Sequence, residues 1–259
     1  MPPRNRKNQI IHRCQQPTRC KDCEVRRRAL FRGVAEEQLN WMQEYRHAQF
    51  EVPARYELFS EGEPADYVYT LHDGWAIIYK TVSNGKRQIM RFALSGDFLG
   101  FQADLSAPMG YGITTLTSCR VCAFPRARME DMLAANARVA MRLAEMNARY
   151  MAICQTHLLC TGRKPARERL AYLFLELYHR LRQLNPAIGE EEGVEFPLAQ
   201  EEIGDAIGLT NVHVSRTLQE LKQDGLVRIA GKRLYILDPE RLQALAEFDP
   251  SVVAENGYL

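Results

Sequence analysis

LAQEEIGDAIGLTNVHVSRTLQELKQDGLVRIAGKRLYIL, residues Leu198–Leu237, is the stretch of sequence that decides the fold. It contains two short amphipathic runs, one on each side of Gly208, whose apolar residues recur at helical spacing. These apolar positions are Leu198, Ile203, Ala206 and Ile207 in the first run and Val214, Leu218 and Leu221 in the second. Gly208 is a typical helix C-cap and Thr210 a typical N-cap. The pattern predicts a helix, a tight turn and a second helix.

The second helix of this pair carries short polar side chains and an arginine opposite its apolar stripe. Such side chains suit a helix that reads base-pair edges in the major groove. After Gly225 the sequence alternates around Gly231, which predicts a hairpin with basic residues near its tip. An ordinary helical hairpin in a core would not need the caps, the stripe and the hairpin together, so we predict a winged helix-turn-helix that binds double-stranded DNA. The residues predicted to contact DNA are Thr210, Asn211, Val212, His213, Ser215 and Arg216.

This stretch, together with the segment ERLAYL at residues 168–173, closely resembles the DNA-binding domain of the Crp/Fnr regulators. In that family the recognition helix usually carries Glu-x-x-Ser-Arg or Glu-x-x-x-Arg. Ser215 and Arg216 match, whereas Val212 stands where the glutamate would contact a cytosine. The resemblance implies that Arg216 reads a guanine and that Ser215 contacts a neighbouring base or phosphate. It also implies a homodimer on a palindromic promoter site, with RNA polymerase as a further partner.

Length and composition allow two domains of ordinary size. The chain has 259 residues, of which 46% are hydrophobic and 25% charged, with a net charge of +2. These values are typical of globular proteins, and the net charge says little about partners. We find no membrane span and no signal peptide, so we expect a cytoplasmic protein. Seven cysteines, an odd number, indicate thiols or ligands rather than a disulfide framework.

Between Phe50 and Phe124 the sequence changes to short strand-like runs separated by glycine turns. This pattern predicts a small barrel or roll, which in the Crp/Fnr family is the β-roll sensor domain. The predicted fold class is α+β, with a β-roll sensor, a long dimerisation helix and a C-terminal winged helix-turn-helix. The predicted domains are a basic cysteine-containing segment at 1–35, the sensor at 36–135, the dimerisation helix at 136–162 and the DNA-binding domain at 163–259.

The sensor lacks the residues that hold a cyclic nucleotide in its cyclic-AMP-binding relatives. Those proteins carry a Gly-Glu pair after the segment that reads GDFLG here, and an Arg-Ser pair about ten residues later. Residues 101–117 read FQADLSAPMGYGITTLT, with neither pair. A cyclic phosphate would lack its arginine partner, so we predict that no cyclic nucleotide binds. The GDFLGF segment and Cys122 instead resemble the oxygen-responsive Fnr branch.

The N-terminal segment is basic and contains three cysteines. Residues 1–32 hold ten Lys or Arg against Asp22 and Glu24, a net charge of +8. Cys20-x2-Cys23 is a spacing that lets two thiolates point at one metal or cluster, or at each other. Nearby basic residues, namely Arg19, Lys21 and Arg26, would favour the thiolate form.

Fnr proteins hold a [4Fe-4S] cluster with three N-terminal cysteines and one central cysteine. Cys20, Cys23 and Cys122 match this set, but the usual third N-terminal cysteine, five to seven residues after the pair, is missing. Cys14, upstream of the pair, is the substitute in the predicted ligand set of Cys14, Cys20, Cys23 and Cys122. Two interpretations stay open: these four side chains hold a cluster, or they are thiols in a regulator that senses another signal.

The longest helical pattern runs from about Asn136 to Cys160. Its apolar residues alternate in spacings of four and three, which is a heptad seam typical of a helix that packs against a twin. The predicted dimerisation residues are Val139, Leu143, Met146, Tyr150 and Ile153. The alternative is one side of an ordinary core helix.

The leading hypothesis is a homodimeric transcription regulator and not an enzyme. A ligand-binding regulatory subunit that never touches DNA is a second class, which the winged domain and Arg216 argue against. A thiol oxidoreductase using Cys20 and Cys23 is a third, but the βαβ context of such a motif is missing. The sequence does not identify the signal, which could be oxygen, nitric oxide, redox state, a small molecule or none.

Overall fold

A computed structural model describes residues 11–187 and 192–254. Residues 1–10, which belong to the predicted basic segment, and part of the acidic loop after Ala187 lie outside that range. The chain divides into two compact units. The N-terminal unit comprises Met1–Lys80 and Phe92–Ala148, and the C-terminal unit comprises Thr81–Arg91 and Arg149–Leu259. The long helix predicted at 136–162 and the hairpin around residues 81–91 are divided between the two units. The four domain boundaries given above therefore stay a prediction.

Two antiparallel sheets form most of the N-terminal unit, as the alternating runs and glycine turns predict, although residues 87–91 of one edge strand belong to the C-terminal unit. The strands are β1 His12–Arg13, β2 Ala48–Val52, β3 Glu57–Phe59, β4 Tyr67–Asp73, β5 Ala76–Thr81, β6 Arg87–Ala93, β7 Phe98–Leu99, β8 Gly112–Thr115 and β9 Cys119–Pro125. One sheet has the order β1-β2-β9-β4-β7 and the other β3-β8-β5-β6. Gly74 makes the tight turn between β4 and β5 at φ +90°, where a Cβ atom would come within 2.5 Å of the Ser118 carbonyl oxygen.

Apolar side chains from both sheets form one core. Phe50, Leu71 and Val121 contribute from the first sheet, and Ala76 and Ile113 from the second. Each of these is at most 5% exposed. Alternate residues of a strand face opposite sides of the sheet. The side chains between these core positions therefore lie on the opposite face of the first sheet.

Helices flank these sheets. Short 3-10 helices span Cys20–Asp22, Glu24–Arg27, Glu36–Gln38 and Arg126–Arg128. The α-helices are α1 Leu39–Tyr45, α2 Met129–Ala135 and α3 Ala137–Arg163. Leu39 and Met42 of α1 are buried. Among the described residues, none of the helices has the length and apolar character that crossing a membrane requires.

The cysteine-containing segment lies against the outer edge of the first sheet. Strand β1 pairs with β2, and the Cys14 amide donates to the Gln49 carbonyl at 2.8 Å. Further on, the Thr18 amide donates to Gln49 Oε1 at 2.9 Å, and Arg46 donates to the Thr18 carbonyl at 2.6 Å. These contacts bring the Cys-x-x-Cys pair back to the roll.

The C-terminal unit contains the predicted winged helix-turn-helix. Its elements are α4 Ala166–Leu184, β10 Val194–Glu195, α5 Gln200–Ile207, α6 Asn211–Gln223, β11 Val227–Ala230, β12 Arg233–Ile236, α7 Pro239–Ala246 and a 3-10 helix at Pro250–Val252. The three strands form one sheet in the order β10-β12-β11. Strands β11 and β12 are the predicted hairpin.

The turn between α5 and α6 has the predicted caps. Gly208 ends α5 in the left-handed conformation at φ +69°. Thr210 begins α6, with its hydroxyl accepting a hydrogen bond from the His213 amide at 3.3 Å. Gly204 lets the two helices approach closely, because a Cβ there would lie 2.5 Å from the Leu209 carbonyl oxygen. Val214, Leu218 and Leu221 are buried, so the opposite face of α6 is turned outward.

Candidate DNA interface and cysteine cavity

The predicted DNA-contacting residues lie together at the N-terminal end of α6. Thr210, Asn211, Ser215 and Arg216 are exposed, His213 is half-buried and Val212 is 82% exposed. A valine so exposed has no packing role within the described chain. The Arg216 side chain is 70% exposed, and its Nε lies 4.0 Å from Glu220 Oε1, a loose contact that leaves the guanidinium able to reach a base.

The wing supplies a basic tip beside this helix. Gly231 and Lys232 both have φ of +57°, the paired left-handed conformation of a two-residue hairpin turn. Lys232 and Arg228 are exposed, and the Arg228 guanidinium lies 3.7 Å from the centre of the Tyr235 ring. Arg233 donates to the carbonyls of Glu192 and Gly193, each at 2.7 Å, so it holds the base of the wing.

Three of the four predicted cluster ligands line one cavity of about 40 Å³ in the N-terminal unit. They are Cys20, Cys23 and Cys122. Arg26 and Arg46 from the surrounding segment and His72 and Thr70 from β4 also line this cysteine cavity. Ala29 lines it too, and lies in the region where the Fnr pattern places a further cysteine.

Burial controls the protonation of these thiols. It raises the pKa of Cys122 to about 11, although the nearby Arg46 guanidinium acts in the opposite direction. Burial likewise raises the pKa of Cys20 against the charges of Arg46 and Arg26. The expectation that basic neighbours of the Cys-x-x-Cys pair favour the thiolate does not hold for Cys20, because desolvation outweighs the charge of Arg26. Buried, protonated thiols are poor nucleophiles, which counts against a thiol oxidoreductase.

Cys14 does not line the cysteine cavity. It is half-buried beside Gln49, and burial followed by the charge of Glu51 raises its pKa. Within residues 11–187 and 192–254, no three His, Cys, Asp or Glu side chains are close enough to hold a single metal ion. A cluster spreads its irons over separate corners, so its thiolates lie farther apart than the ligands of one ion. Three of the four predicted donors, Cys20, Cys23 and Cys122, share the cavity, and Cys14 does not.

Helix α3 presents a different face outward from the one predicted. Four of the five predicted dimerisation residues, Val139, Leu143, Met146 and Ile153, are at most 5% exposed within the single chain. The fifth, Tyr150, is half-buried, and the Arg91 guanidinium lies 3.7 Å from the centre of its ring. The predicted seam is therefore already packed inside the chain that carries it.

A second heptad stripe runs along the exposed side of α3. Each of its members lies two residues before a member of the predicted seam, which places the two stripes on opposite sides of the helix. Its members are Met141, Ala144, Ala148, Met151, Gln155 and Leu158, all exposed. Met151 is 61% and Leu158 75% exposed. This exposed stripe has the same spacings of three and four, but its alanines and glutamine weaken the apolar signal. For that reason the sequence pattern alone does not distinguish it.

The segment corresponding to a cyclic-nucleotide site is held by a buried arginine. Arg126 is 4% exposed and donates to the Leu105 carbonyl at 2.9 Å and to the Asp104 and Ala107 carbonyls, each at 3.4 Å. Its guanidinium is committed to closing this loop.

Two family matches cover most of the chain. Residues 49–136 match the family described as cyclic nucleotide-binding domain. Residues 168–245 match the Crp-like helix-turn-helix domain. The first match describes the roll and leaves open whether a nucleotide binds.

Relatives at 30% identity or more align with 73–88% of the chain. The chain is 35% identical to the transcriptional activatory protein AadR of Rhodopseudomonas palustris, over 73% of this chain and 77% of AadR. It is 30% identical to the nitrogen fixation regulation protein FixK of Bradyrhizobium diazoefficiens, over 88% of this chain and 93% of FixK. It is 31% identical to the transcriptional activator protein FnrL of Cereibacter sphaeroides, over 88% of this chain and 89% of FnrL.

The fold agrees with these relatives. The solved structure of FixK2 from Bradyrhizobium japonicum superposes with a TM-score of 0.68 at 31% identity, covering 76% of this chain and 96% of FixK2. The winged helix-turn-helix, the roll and the alignment with these relatives all lead to the same assignment. This chain belongs to the Crp/Fnr family of DNA-binding transcription regulators.

Proposed function

We propose that the chain acts as a homodimer that reads a palindromic promoter site with the N-terminal half of α6 and responds to redox state through its cysteine cavity. The observation that carries the first part is the outward face of α6. Exposed Asn211, Ser215 and Arg216 can enter a major groove, where a bidentate arginine distinguishes guanine. Lys232 and Arg228 of the wing are placed to contact phosphates, which supply affinity without reading sequence.

Dimerisation is assigned to the exposed stripe of α3. Its apolar members would otherwise face water along much of the helix, and two such helices can pack as a coiled coil. Two recognition helices must be held about one DNA turn apart, which a rigid helical pair can do. RNA polymerase is the further partner that we expect for a promoter-bound regulator of this family.

Redox response is assigned to Cys20, Cys23 and Cys122. These thiols meet at one cavity, and a bound iron–sulfur cluster would supply oxygen-sensitive redox chemistry there. The alternative is a regulator without a cluster that senses another signal. The convergence of the Cys20–Cys23 pair with Cys122, which is distant in sequence, favours the cluster.

A physical connection leads from the cavity segment to α3. Arg142 of α3 is 2% exposed and donates to the Arg28 carbonyl at 2.8 Å. Its Nη1 also lies 3.2 Å from Glu145 Oε2. Because Arg28 precedes the cavity-lining Ala29, a displacement of this segment would be transmitted to the helix that carries the exposed stripe.

Binding of the full-length protein to fluorescently labelled genomic promoter fragments tests the DNA function. We expect saturable, salt-sensitive binding to a subset of fragments, with random DNA bound at least tenfold more weakly. Equal affinity for every fragment would contradict sequence-specific regulation. The same titration under anaerobic and air-oxidised conditions tests the redox part, which requires the two affinities to differ.

A further inference from the structure

The first sheet explains why Cys14 is poorly placed to complete the cysteine cavity. Strand β2 pairs with β9 so that Gln49 lies opposite Cys122, and Cys14 lies on the far side of Gln49. Gln49 is 1% exposed, and its Nε2 lies 3.6 Å from Cys122 Sγ. Two strand spacings separate Cys14 from Cys122, or roughly 10 Å. The buried Gln49 side chain lies between them.

Strand β4 borders Cys122 on its other side and carries a histidine. Thr70 of β4 lies directly opposite Cys122. Leu71 pairs with Val121 and Asp73 with Arg120, so His72 is the extra residue of a β-bulge. A bulge re-aims a side chain and is common beside functional sites. The imidazole of His72 lines the cysteine cavity.

Two polar atoms at this wall are buried without a partner. His72 Nδ1 and Thr70 Oγ1 make no hydrogen bond within the described chain. Thr70 is only 6% exposed. Orphaned buried polar atoms are uncommon in folded proteins, and each costs roughly 1–3 kcal/mol. An unpartnered ring nitrogen of a residue that lines the same cavity as three thiols is an available ligand.

We propose that His72, through Nδ1, is the fourth side-chain ligand of an iron–sulfur cluster held by Cys20, Cys23 and Cys122. This inference rests on the proposed redox function of the same cavity. Imidazole is an established iron–sulfur ligand in other proteins. A neutral imidazole in place of a thiolate leaves one negative charge fewer around the irons, which makes reduction easier. Ala29 faces the same cavity without a donor atom.

Anaerobic reconstitution of the full-length protein with ferrous iron and sulfide tests this assignment. The variants are His72→Ala, His72→Cys and, as a matched control, Cys14→Ser. Iron and sulfide are measured per chain, and nitrogen coupling to the reduced cluster is measured by pulsed electron paramagnetic resonance. We expect about four irons in the wild type and in Cys14→Ser, both with a coupled nitrogen. His72→Ala should lose most of its iron, and His72→Cys should keep the iron but lose the nitrogen coupling.

The possible results distinguish failure of the His72 ligand role from failure of the cluster proposal itself. Full iron with unchanged nitrogen coupling in His72→Ala would overturn the ligand role of His72. Loss of iron in Cys14→Ser alone would also overturn it and return Cys14 to the ligand set, leaving the cluster in place. A wild type that takes up no iron would remove both the cluster and its fourth ligand, while promoter binding would be unaffected. If His72→Ala does not fold, the ligand role of His72 is decided by His72→Cys: loss of the nitrogen coupling supports it, and retained coupling overturns it.

Discussion

The Arg87 guanidinium forms a two-pronged contact with the carboxylate of Asp205, with Nε at 2.8 Å and Nη2 at 2.7 Å from Oδ2. Both side chains are about one quarter exposed, at 23% and 25%. Arg87 begins β6, and Asp205 lies on α5, the first helix of the DNA-reading pair. The neighbouring Gln88 donates to the Ala206 carbonyl at 3.0 Å. The hairpin at residues 81–91 is thus fastened to the helix-turn-helix within the C-terminal unit.

Removing this contact should release the hairpin. We expect Arg87→Ala to lower the free energy of unfolding by about 1–2 kcal/mol, because a partly buried charge-assisted hydrogen bond is lost. Amide hydrogen exchange across residues 82–90 should accelerate. Lys86→Ala removes the same charge from an exposed neighbour and should leave both measurements unchanged. Identical stability and hydrogen exchange in the two variants would show that the Arg87–Asp205 contact does not stabilise the hairpin.

Sequence reading by Arg216 gives a second expectation. Arg216→Ala should cost about 1–3 kcal/mol on the preferred site, because a bidentate arginine–guanine contact is lost. Lys222→Ala removes one charge from the other end of α6 and should weaken specific and random DNA alike. Fluorescence titration on both kinds of DNA separates the two effects. An equal loss on both for Arg216→Ala would make it a phosphate contact.

The valine at position 212 leads us to expect a DNA half-site that differs from the usual Fnr half-site. It is exposed where the family's glutamate would contact a cytosine, and a valine can offer only apolar contact, for instance to a thymine methyl group. Binding-site selection from a random pool should therefore yield a half-site that differs from the usual Fnr one at that base pair. Val212→Glu should shift the selected base towards the usual one, whereas an unchanged selection would show that position 212 does not reach the bases.

The parts of the structure that local chemistry determines could be predicted from sequence. Gly208 and Thr210 cap the turn because their backbone and side-chain preferences act within a few residues. The convergence of Cys20, Cys23 and Cys122 followed from a family pattern. The placement of Cys14 did not, because no spacing in the sequence reveals that Gln49 stands between it and Cys122.

The orientation of α3 could not be predicted for a related reason. Two stripes of the same heptad spacing coexist on one helix, and the sequence pattern favours the more apolar one as the interface. Tertiary packing uses that stripe for the interior, so Val139 and Ile153 are buried in their own chain. His72 had no sequence signal, because a bulge exists only once strands are paired.

The exposed stripe of α3 gives a prediction about assembly. Met151→Glu should convert the dimer to monomers with unchanged folding, because it would place two like charges together at a two-fold axis. Ile153→Ala should do the opposite, lowering the free energy of unfolding by about 2–4 kcal/mol while leaving the dimer intact. Light scattering and chemical denaturation measure the two properties. A dimeric Met151→Glu variant would place the interface elsewhere.

Cyclic AMP should not bind the roll. Residues 101–117 lack the family's phosphate-binding pairs, and the Arg126 guanidinium already satisfies three carbonyl groups of residues 104–107. Calorimetry at physiological nucleotide concentration should give no saturable heat. Arg126→Met should destabilise the protein, because the loop carbonyls lose their donor, without changing the calorimetric result. Saturable binding by the wild type would contradict this prediction.

A buried ion pair in the C-terminal unit should make stability depend on pH. His157 Nε2 of α3 lies within hydrogen-bonding distance of Glu176 Oε2 of α4, and Arg180 contacts Glu176 Oε1 at 3.2 Å. Burial lowers the pKa of His157, but the charge of Glu176 and the hydrogen bond to it raise it more, so the net pKa is raised above 6.5. Burial raises the pKa of Glu176, but His157 and Arg180 bring it below 4.5.

His157 and Glu176 set the upper and lower pH limits between which their ion pair stabilises the fold. The contribution of His157 is fully present below pH 6.5 and is lost as pH rises through its raised, folded-state pKa. The contribution of Glu176 is present above pH 4.5 and is lost as pH falls through its lowered, folded-state pKa. Urea unfolding should therefore show the pair's largest contribution between these values. His157→Gln should remove about 2 kcal/mol there and progressively less above neutral pH. Glu176→Gln, which keeps the shape but not the charge, should abolish the same pH dependence. A wild-type stability that does not change between pH 6 and 9, measured against His157→Gln, would show that His157 is uncharged in the folded protein.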